Sequence, residues 1–460
     1  MKLYKRESLW AGVIYFLILL SAALWVRDVP NQLDAFSLTL RELIKESTMN
    51  DPASFATAAI DIAENGWISS ENDWIFNLWP PGFILLEALI VRLMGPEAPV
   101  ILILQLLAAI LFSAVLLLLA DLLKGLVNNK VGYLLPLLIF AFPVSRVFLL
   151  QPTSISLGEG FSIGFFMLSI LLAYRSVEKK SFLNAIYAGL FLALSAYFRS
   201  QFEIILLALT GWWVLLAIIY IIGFLRKTIY SPNLKSTVKT IGILLLTAHA
   251  ATVPWRAYHW INQGSPNWVQ TSRLIFENSV MTSDYLESVG GRFVVAGAGN
   301  LVCRIDPAAC GDRENAKRLF FKTFINHPLE WYQLKFDAIG KYWFSSVGNW
   351  GNVATKASRM DVIVNAFLLL MIVVAAVLLA MRKIRDHASW ILLVWFNGSL
   401  LSAYALIFSL AHFEVRYFYF PKIAGILMLI IVASLYFRSS SGIAGEMPSS
   451  GRRPSANNQS

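Results

Sequence analysis

Charged side chains and cysteine are scarce in this chain. Only 14% of its 460 residues are charged, 57% are hydrophobic, and it has two cysteines and five histidines. A soluble globular protein has about one-quarter charged residues, so the composition excludes that class and predicts a polytopic membrane protein. The sequence also lacks a P-loop, a Rossmann glycine pattern, a nucleophile elbow and a Cys/His cluster. We therefore expect no cofactor and no metal.

The excess of positive charge follows the loops. The net charge is +10, and its lysines and arginines cluster at the N-terminus, near residues 124–130, 175–180, 226–239 and 382–385, and in the tail. These are every second connection between apolar runs, which is the positive-inside pattern of membrane proteins. The charge thus predicts a plasma (inner) membrane protein with both termini in the cytoplasm, and no nucleic-acid partner.

Ten apolar runs predict about ten transmembrane helices at roughly 20 residues per crossing. They cover residues 9–26, 100–123, 131–150, 161–174, 183–198, 202–225, 238–253, 362–381, 390–411 and 417–436. Two long segments, 27–98 and 254–361, are predicted to be extracytoplasmic. We expect one all-α membrane domain over 1–437. The Ser-, Gly-, Pro- and Asn-rich residues 438–460 are predicted to form a disordered cytoplasmic tail.

The first long segment carries clear helix punctuation. Asp51 and Pro52 suit the N-cap and first position of a helix, and Gly66 suits its end. Pro80-Pro81 predicts a second start, which continues to Gly95. Both helices have an apolar stripe but are too short or too polar to span, so we expect them to lie along the membrane surface.

The second long segment predicts helices over 314–326 and 329–345, broken at His327-Pro328. For most of its aromatic side chains we favour an interfacial belt, and the alternative is a lid over a lipid or sugar site; they are Trp331, Tyr332, Tyr342, Trp343 and Phe344. Cys303 and Cys310 would form a disulfide if the segment faces an oxidising compartment, and two unpaired thiols are the alternative.

Four groups of residues, taken in order, resemble the GT-C glycosyltransferases, in particular the branch of the protein O-mannosyltransferases and the lipid A aminoarabinose transferase. The first-segment motifs are Asp51-Pro52-Ala53-Ser54-Phe55, Gly66 and Trp79-Pro80-Pro81-Gly82-Phe83. The later motifs are Leu194-Ser195-Ala196-Tyr197-Phe198-Arg199, Val253-Pro254-Trp255-Arg256 and Glu414-Val415-Arg416-Tyr417-Phe418-Tyr419-Phe420-Pro421. Pro52, Trp79 and Phe83 depart from the family's second acid, histidine and tyrosine. These departures favour a single carboxylate without metal.

The resemblance implies GT-C architecture and transfer of a sugar from a polyprenyl-phosphate donor. The acceptor would be a hydroxyl of a cell-envelope glycan, lipid or protein on the extracytoplasmic face. Such a reaction needs a base for the acceptor proton and cations for the lipid phosphate. Asp51 is the candidate base, and the alternative is that it only caps its helix. Asp34 is the second choice. A transporter or flippase of lipid-linked sugars is the alternative function.

Several residues are candidates for binding the donor phosphate or another part of the substrates. Arg199 either binds phosphate or pairs with Glu203 four residues on. Arg256 and Arg416 either bind phosphate or are snorkelling anchors at span ends. The remaining candidates are Lys422, which is costly within an apolar run, Glu159 and Tyr417.

Overall fold

The computed structural model describes residues 2–25, 38–46, 50–124, 132–145, 158–226, 232–263, 313–344, 358–381, 387–410 and 415–440. These residues are almost all helical, and none of them forms a strand. The helices are α1 (Lys2–Trp25), α2 (Leu40–Glu46), α3 (Asn50–Asn65), α4 (Trp74–Leu78), α5 (Gly82–Met94), α6 (Val100–Leu123), α7 (Glu159–Lys179), α8 (Phe182–Phe198), α9 (Gln201–Leu225), α10 (Pro232–Gln263), α11 (Arg313–Asn326), α12 (Pro328–Phe344), α13 (Arg359–Ala380), α14 (His387–Leu410) and α15 (Tyr419–Ser440).

Seven of these helices are long and apolar enough to cross a membrane, which agrees with an all-α polytopic membrane protein. They are α6, α7, α9, α10, α13, α14 and α15, and the shorter apolar helices Glu7–Ala23 and Phe182–Phe198 lie in α1 and α8. The count of about ten spans and the GT-C architecture stay predictions. Asp34, Cys303, Cys310 and residues 441–460 lie outside the described part of the chain.

The third predicted span, 131–150, is not a continuous helix in its described part. Residues Leu135–Ala141 form a 3₁₀-helix, with Pro136 in its first turn and Pro143 just beyond its end. Proline lacks a backbone N–H and its ring clashes with the preceding turn, so two prolines seven positions apart interrupt an α-helix. Apolar length alone therefore overestimated the helical content here.

Helix α7 is the most enclosed of the candidate spans. The buried share of its apolar window is 83%, compared with 17% for α9. It packs against α6 and α10 on its way through the bundle, and most extensively against α8. Helices α9 and α14 pack together, as do α13 and α15. The first residue of α7, Glu159, consequently lies within the protein.

Helices α3 and α5 of the first long segment begin and end close to the predicted positions, whereas α2 and α4 are not among the predicted helices. Gly66 follows α3 with φ +83°, and Gly95 follows α5 with φ +91°. Their N–H groups donate to the carbonyls of Ile62 at 2.9 Å and Val91 at 2.8 Å. Glycine adopts this left-handed conformation without the steric cost of a side chain, which explains why both helices stop there. Helix α3 packs on α5 and α2.

The second long segment forms α11 and α12, separated at His327 as expected. The predicted aromatic belt is wrong for part of α12. Trp331 is fully buried, its indole N–H donates to the carbonyl of Ser409 at 2.8 Å, and Tyr342 is buried against Phe418. An interfacial ring keeps one side in water or lipid. These two rings instead pack inside the protein, where Trp331 contacts α14 and Tyr342 contacts the 3₁₀-helix Val415–Phe418.

Candidate functional site

A buried ion pair joins two helix ends at one end of the bundle. Arg199 lies in the connection between α8 and α9, and Glu159 is the first residue of α7. The guanidinium Nη2 of Arg199 is 2.9 Å from the carboxylate Oε1 of Glu159, and the two side chains are only 11% and 6% exposed. The structure therefore brings two predicted site residues into contact. Glu203, the alternative partner considered for Arg199, is not the carboxylate in this pair.

A second arginine and glutamate lie beside the same connection. Arg256 of α10 and Glu203 of α9 are both buried, and they interact electrostatically. Arg256 also interacts with Tyr197, whose hydroxyl donates to the carbonyl of Ala251 at 3.0 Å. Arg256 is therefore buried, which contradicts the prediction of a snorkelling anchor at the water surface.

Together these residues place two guanidinium groups in a poorly hydrated region, each near a buried glutamate. Burying an ion pair costs several kcal/mol of desolvation per ion, and arginine remains charged in such surroundings. An arriving phosphate would compete with the carboxylates for the planar donors of the guanidinium groups, which suit a bidentate contact. The arrangement can thus bind an anion.

The Trp79-Pro80-Pro81-Gly82-Phe83 motif packs on the connection that carries Arg199. A Cβ atom at Gly82 would lie 2.7 Å from the carbonyl oxygen of Tyr197, so only glycine allows this approach. The ring of Phe83 lies 6.2 Å from that of Phe198, and a Cβ at Gly158 would meet Phe83 at 3.2 Å. The first long segment therefore packs on residues that directly neighbour Glu159 and Arg199 in the chain.

Asp51 belongs to this assembly through Phe55, one helical turn further along α3. The ring of Phe55 lies 5.3 Å from Trp79 and 5.9 Å from Phe83. Helix α3 begins at Asn50, so Asp51 lies within its first turn and is not the residue that precedes the helix. It is partly exposed, and the N-terminal end of a helix favours a negative charge there.

Lys422 lies on α15, beside aromatic rings of α12 and α9. Its side chain is buried, and its Nζ lies 5.3 Å from the centre of the Trp343 ring. Phe420, two residues before it, packs on Phe202 at 4.9 Å, and Phe202 directly precedes Glu203. Tyr417 is half-buried in the 3₁₀-helix Val415–Phe418, and the Arg416 side chain lies outside the described part of the chain.

Sequence reasoning missed a buried lysine on α12. Lys335 is 2% exposed, and its Nζ lies 5.4 Å from the centre of the Trp331 ring. Burial lowers the pKa of this amine to about 7. Lys335 lies four residues after Trp331, and this spacing on one helical face could have predicted the contact. Among the described residues no group of His, Cys, Asp or Glu is arranged to hold a metal ion.

Sequence reasoning also missed Glu87, which lies on the apolar face of α5. Its side chain is fully buried, and within the described residues neither carboxylate oxygen has a hydrogen-bond partner. Burial therefore raises the pKa of Glu87 well above its usual value. Glu87 lies four positions after Phe83 and three before Ile90, so the helical spacing already placed a carboxyl group within the apolar stripe.

We expect Glu87→Leu to increase the free energy of unfolding at pH 7 by about 1–3 kcal/mol, because it removes a buried polar group without a partner. The raised pKa means that the wild-type protein loses stability as the pH rises above 4.5, the usual value for glutamate. The gain should therefore be larger at pH 7 than at pH 4, measured as the apparent Tm in detergent. Exposed Glu97→Leu is the control. An unchanged or lower Tm for Glu87→Leu would contradict the assignment.

Asp61 fixes the chain between α3 and α4. Its carboxylate accepts hydrogen bonds from Asn65 at 2.8 Å, from the backbone N–H of Ser69 at 2.7 Å and from Asn72 at 3.0 Å. Burial acts to raise its pKa, but the hydrogen bonds from Ser69, Asn72 and Asn65 outweigh it and lower the pKa to about 2. Asp61 is thus an ionised structural group.

We expect Asp61→Ala to lower the free energy of unfolding at pH 7 by about 2 kcal/mol, in the range of hydrogen bonds to charged groups. Because the folded pKa is about 2 and the usual value is 3.8, this stabilisation is present above pH 4 and is lost as the pH falls towards 2. The Tm difference between wild type and variant should shrink over that range. Exposed Glu71→Ala should show no such convergence. A constant difference from pH 7 to pH 2 would exclude this role.

Comparison with known proteins adds no relative. Neither a scan of protein-family models nor a search of curated proteins returns a match for this chain. The fold and the site define a class: an all-α, polytopic membrane protein with two buried Arg–Glu pairs at one end of its helices. The narrower family rests on the sequence motifs and is therefore a proposal.

Proposed function

We propose that the chain is an inverting glycosyltransferase of GT-C type. It moves a sugar from a polyprenyl-phosphate donor to a hydroxyl group of a cell-envelope acceptor on the extracytoplasmic face. The observation that carries this proposal is the packing of three separate motifs around the Glu159–Arg199 pair. Phe55 of the first motif contacts Phe83 of the second, and Gly82 of the second lies against Tyr197, two residues before Arg199. A purely structural packing of these motifs would not need a buried arginine at their junction.

The reaction is a single displacement at the anomeric carbon. Asp51 takes the proton of the acceptor hydroxyl as the new bond from its oxygen to the anomeric carbon forms. The bond from that carbon to the phosphate oxygen breaks, and polyprenyl phosphate leaves with the electron pair. Arg199 and Arg256 stabilise its negative charge, an electrostatic contribution that is large in a site shielded from water. One displacement inverts the configuration of the sugar.

A cavity in the membrane region supports a lipid substrate. It has a volume of about 520 Å³ and lies between α9, α13, α14 and α15. Its walls are mostly apolar and include Trp212, Ile372, Tyr404 and Gly425. Pro421 also contributes, and it directly precedes Lys422. The cavity therefore suits an isoprenoid chain whose phosphate lies near the cationic end of the bundle.

The test is direct detection of transfer by the purified protein in liposomes. Donors are polyprenyl phosphates that carry a radiolabelled hexose or aminopentose, and acceptors are envelope glycans, lipids and proteins. A labelled, covalently modified acceptor supports the proposal. Movement of labelled lipid across the bilayer with no product from any donor would instead establish a flippase. Labelling of a cysteine introduced near residue 70 from the cytoplasmic side would contradict the proposed orientation.

A further inference from the structure

Two partly exposed tryptophans lie on the N-terminal side of helix α4 in the first long segment: Trp74 is its first residue, and Trp67 lies seven positions earlier. Trp67 and Trp74 are 49% and 47% exposed. The ring of Trp67 lies 6.0 Å from Phe76 and 5.8 Å from Tyr258, and the ring of Trp74 lies 6.1 Å from Trp79. We call the four rings that are exposed or partly exposed, Trp67, Trp74, Trp79 and Tyr258, the aromatic surface.

Phe76 and Asp73 hold the rings of the aromatic surface in position. Phe76 is fully buried and packs edge-on against Trp255 of α10 at 5.6 Å. Asp73 precedes α4 but does not cap it, and its carboxylate accepts a hydrogen bond from the hydroxyl of Tyr258. The hydrogen bonds of Asp61 fix the preceding turn. Rings that are already ordered lose little conformational entropy when they bind a ligand.

The charges around the aromatic surface disfavour an anionic membrane as its partner. Between Lys45 and Arg92 the chain has no Lys or Arg, whereas Glu71 and Asp73 directly precede Trp74. Glu64 is already paired with Arg41 at 3.0 Å. Helices that rest on a membrane usually carry basic residues that attract anionic lipids. Flat rings beside carboxylates instead suit a neutral polyhydroxy compound, whose C–H face covers a ring while its hydroxyls donate to carboxylate oxygens.

The aromatic surface continues to the proposed catalytic carboxylate. Trp79 contacts Phe55, one turn after Asp51, and Tyr258 lies two residues after Arg256. We propose that the aromatic surface binds a neutral carbohydrate, and, resting on the proposed function, that the acceptor of the transferase is a carbohydrate chain. The hydroxyl of its terminal sugar would then reach Asp51.

Binding is tested without catalysis by saturation-transfer NMR on the full-length protein in nanodiscs. The three probes are neutral tetrasaccharides, one composed of glucose, one of mannose and one of N-acetylglucosamine. At least one should bind, and Trp67→Ala and Trp74→Ala should each weaken it 10-fold or more. The control is Trp260→Ala, because Trp260 is 61% exposed on the helix of Tyr258. Failure of all three probes, or equal binding by the three variants, would overturn the proposal. So would quenching of Trp67 and Trp74 by brominated lipids, since it would place the rings in the membrane.

The transfer assay separates this proposal from the proposed function. In the expected case, Trp67→Ala and Trp74→Ala raise the KM for a carbohydrate acceptor 10-fold or more and leave the KM for the donor unchanged. Transfer that depends on Asp51 but not on either tryptophan would overturn the carbohydrate proposal and leave the transferase standing. If the protein binds a tetrasaccharide through the tryptophans but has no transferase activity, the carbohydrate proposal stands and the transferase is overturned.

Discussion

Replacement of Arg199 by methionine is expected to lower the free energy of unfolding by about 3–5 kcal/mol, because it removes the cation from a buried ion pair. The carboxylate of Glu159 would then lose the guanidinium group 2.9 Å away. The variant should show a much lower apparent Tm in detergent and a lower midpoint on denaturation in mixed micelles.

The double variant Glu159→Gln/Arg199→Met is the informative partner of this experiment. It removes both charges, so it should recover most of the lost stability, as replacement of a whole buried pair often does. The exposed pair Arg41–Glu64 is a matched control, because its atoms are 3.0 Å apart but its side chains are 50% and 52% exposed. Arg41→Met should cost about 0–1 kcal/mol. Equal effects of Arg199→Met and Arg41→Met would contradict the burial of the Glu159–Arg199 pair.

The same double variant separates stability from function. A folded protein without Arg199 should bind the polyprenyl-phosphate donor less tightly, because one of its phosphate contacts is gone. If the pair is purely structural, the double variant should instead transfer sugar at the wild-type rate. A double-mutant cycle for stability, together with the donor KM of the same variants, measures both contributions on the same proteins.

Local sequence signals predicted four helices of the two long segments, α3, α5, α11 and α12, and missed α2 and α4. Glycine and proline restrict the backbone locally. The helix ends at Gly66 and Gly95 and the helix start at Pro328 could therefore be predicted from the sequence. The third predicted span, 131–150, contains Pro136 and Pro143, and its described part forms a 3₁₀-helix and not a continuous α-helix. Proline alone does not fix a helix boundary, because Pro254 follows the predicted end of the seventh span at residue 253 and yet lies inside α10.

The partner of Arg199 could not be predicted in the same way. The spacing to Glu203 assumes that both residues lie on one helix, but Arg199 has an extended backbone with φ −150° and ψ 126°. Its side chain therefore leaves the helical face and reaches Glu159, 40 positions earlier in the chain. Contacts of this kind depend on how α7 packs against α8, and no local pattern encodes that packing. The burial of Trp331 against α14 has the same origin.

Replacement of Asp51 by asparagine is expected to lower kcat for sugar transfer by about 10²–10⁴-fold, the usual contribution of a general base. Asparagine has nearly the same shape but cannot take the acceptor proton. It is also well tolerated near helix N-termini, so the apparent Tm should change little. The KM for the donor should stay near the wild-type value, because the phosphate contacts are assigned to other residues. Steady-state kinetics with a labelled donor measure both quantities.

The control for Asp51→Asn is Glu64→Gln, which removes an exposed carboxylate from the other end of the same helix. It should transfer sugar at the wild-type rate. Near wild-type turnover by a folded Asp51→Asn protein would remove Asp51 from the mechanism and leave it as a helix-terminal residue. A rise in donor KM without a loss of kcat would instead place Asp51 in substrate binding. Only a selective loss of kcat fits Asp51 as the base. Asp51 lies one helical turn before Phe55, and Phe55 joins α3 to the motif 79–83, which packs beside Arg199.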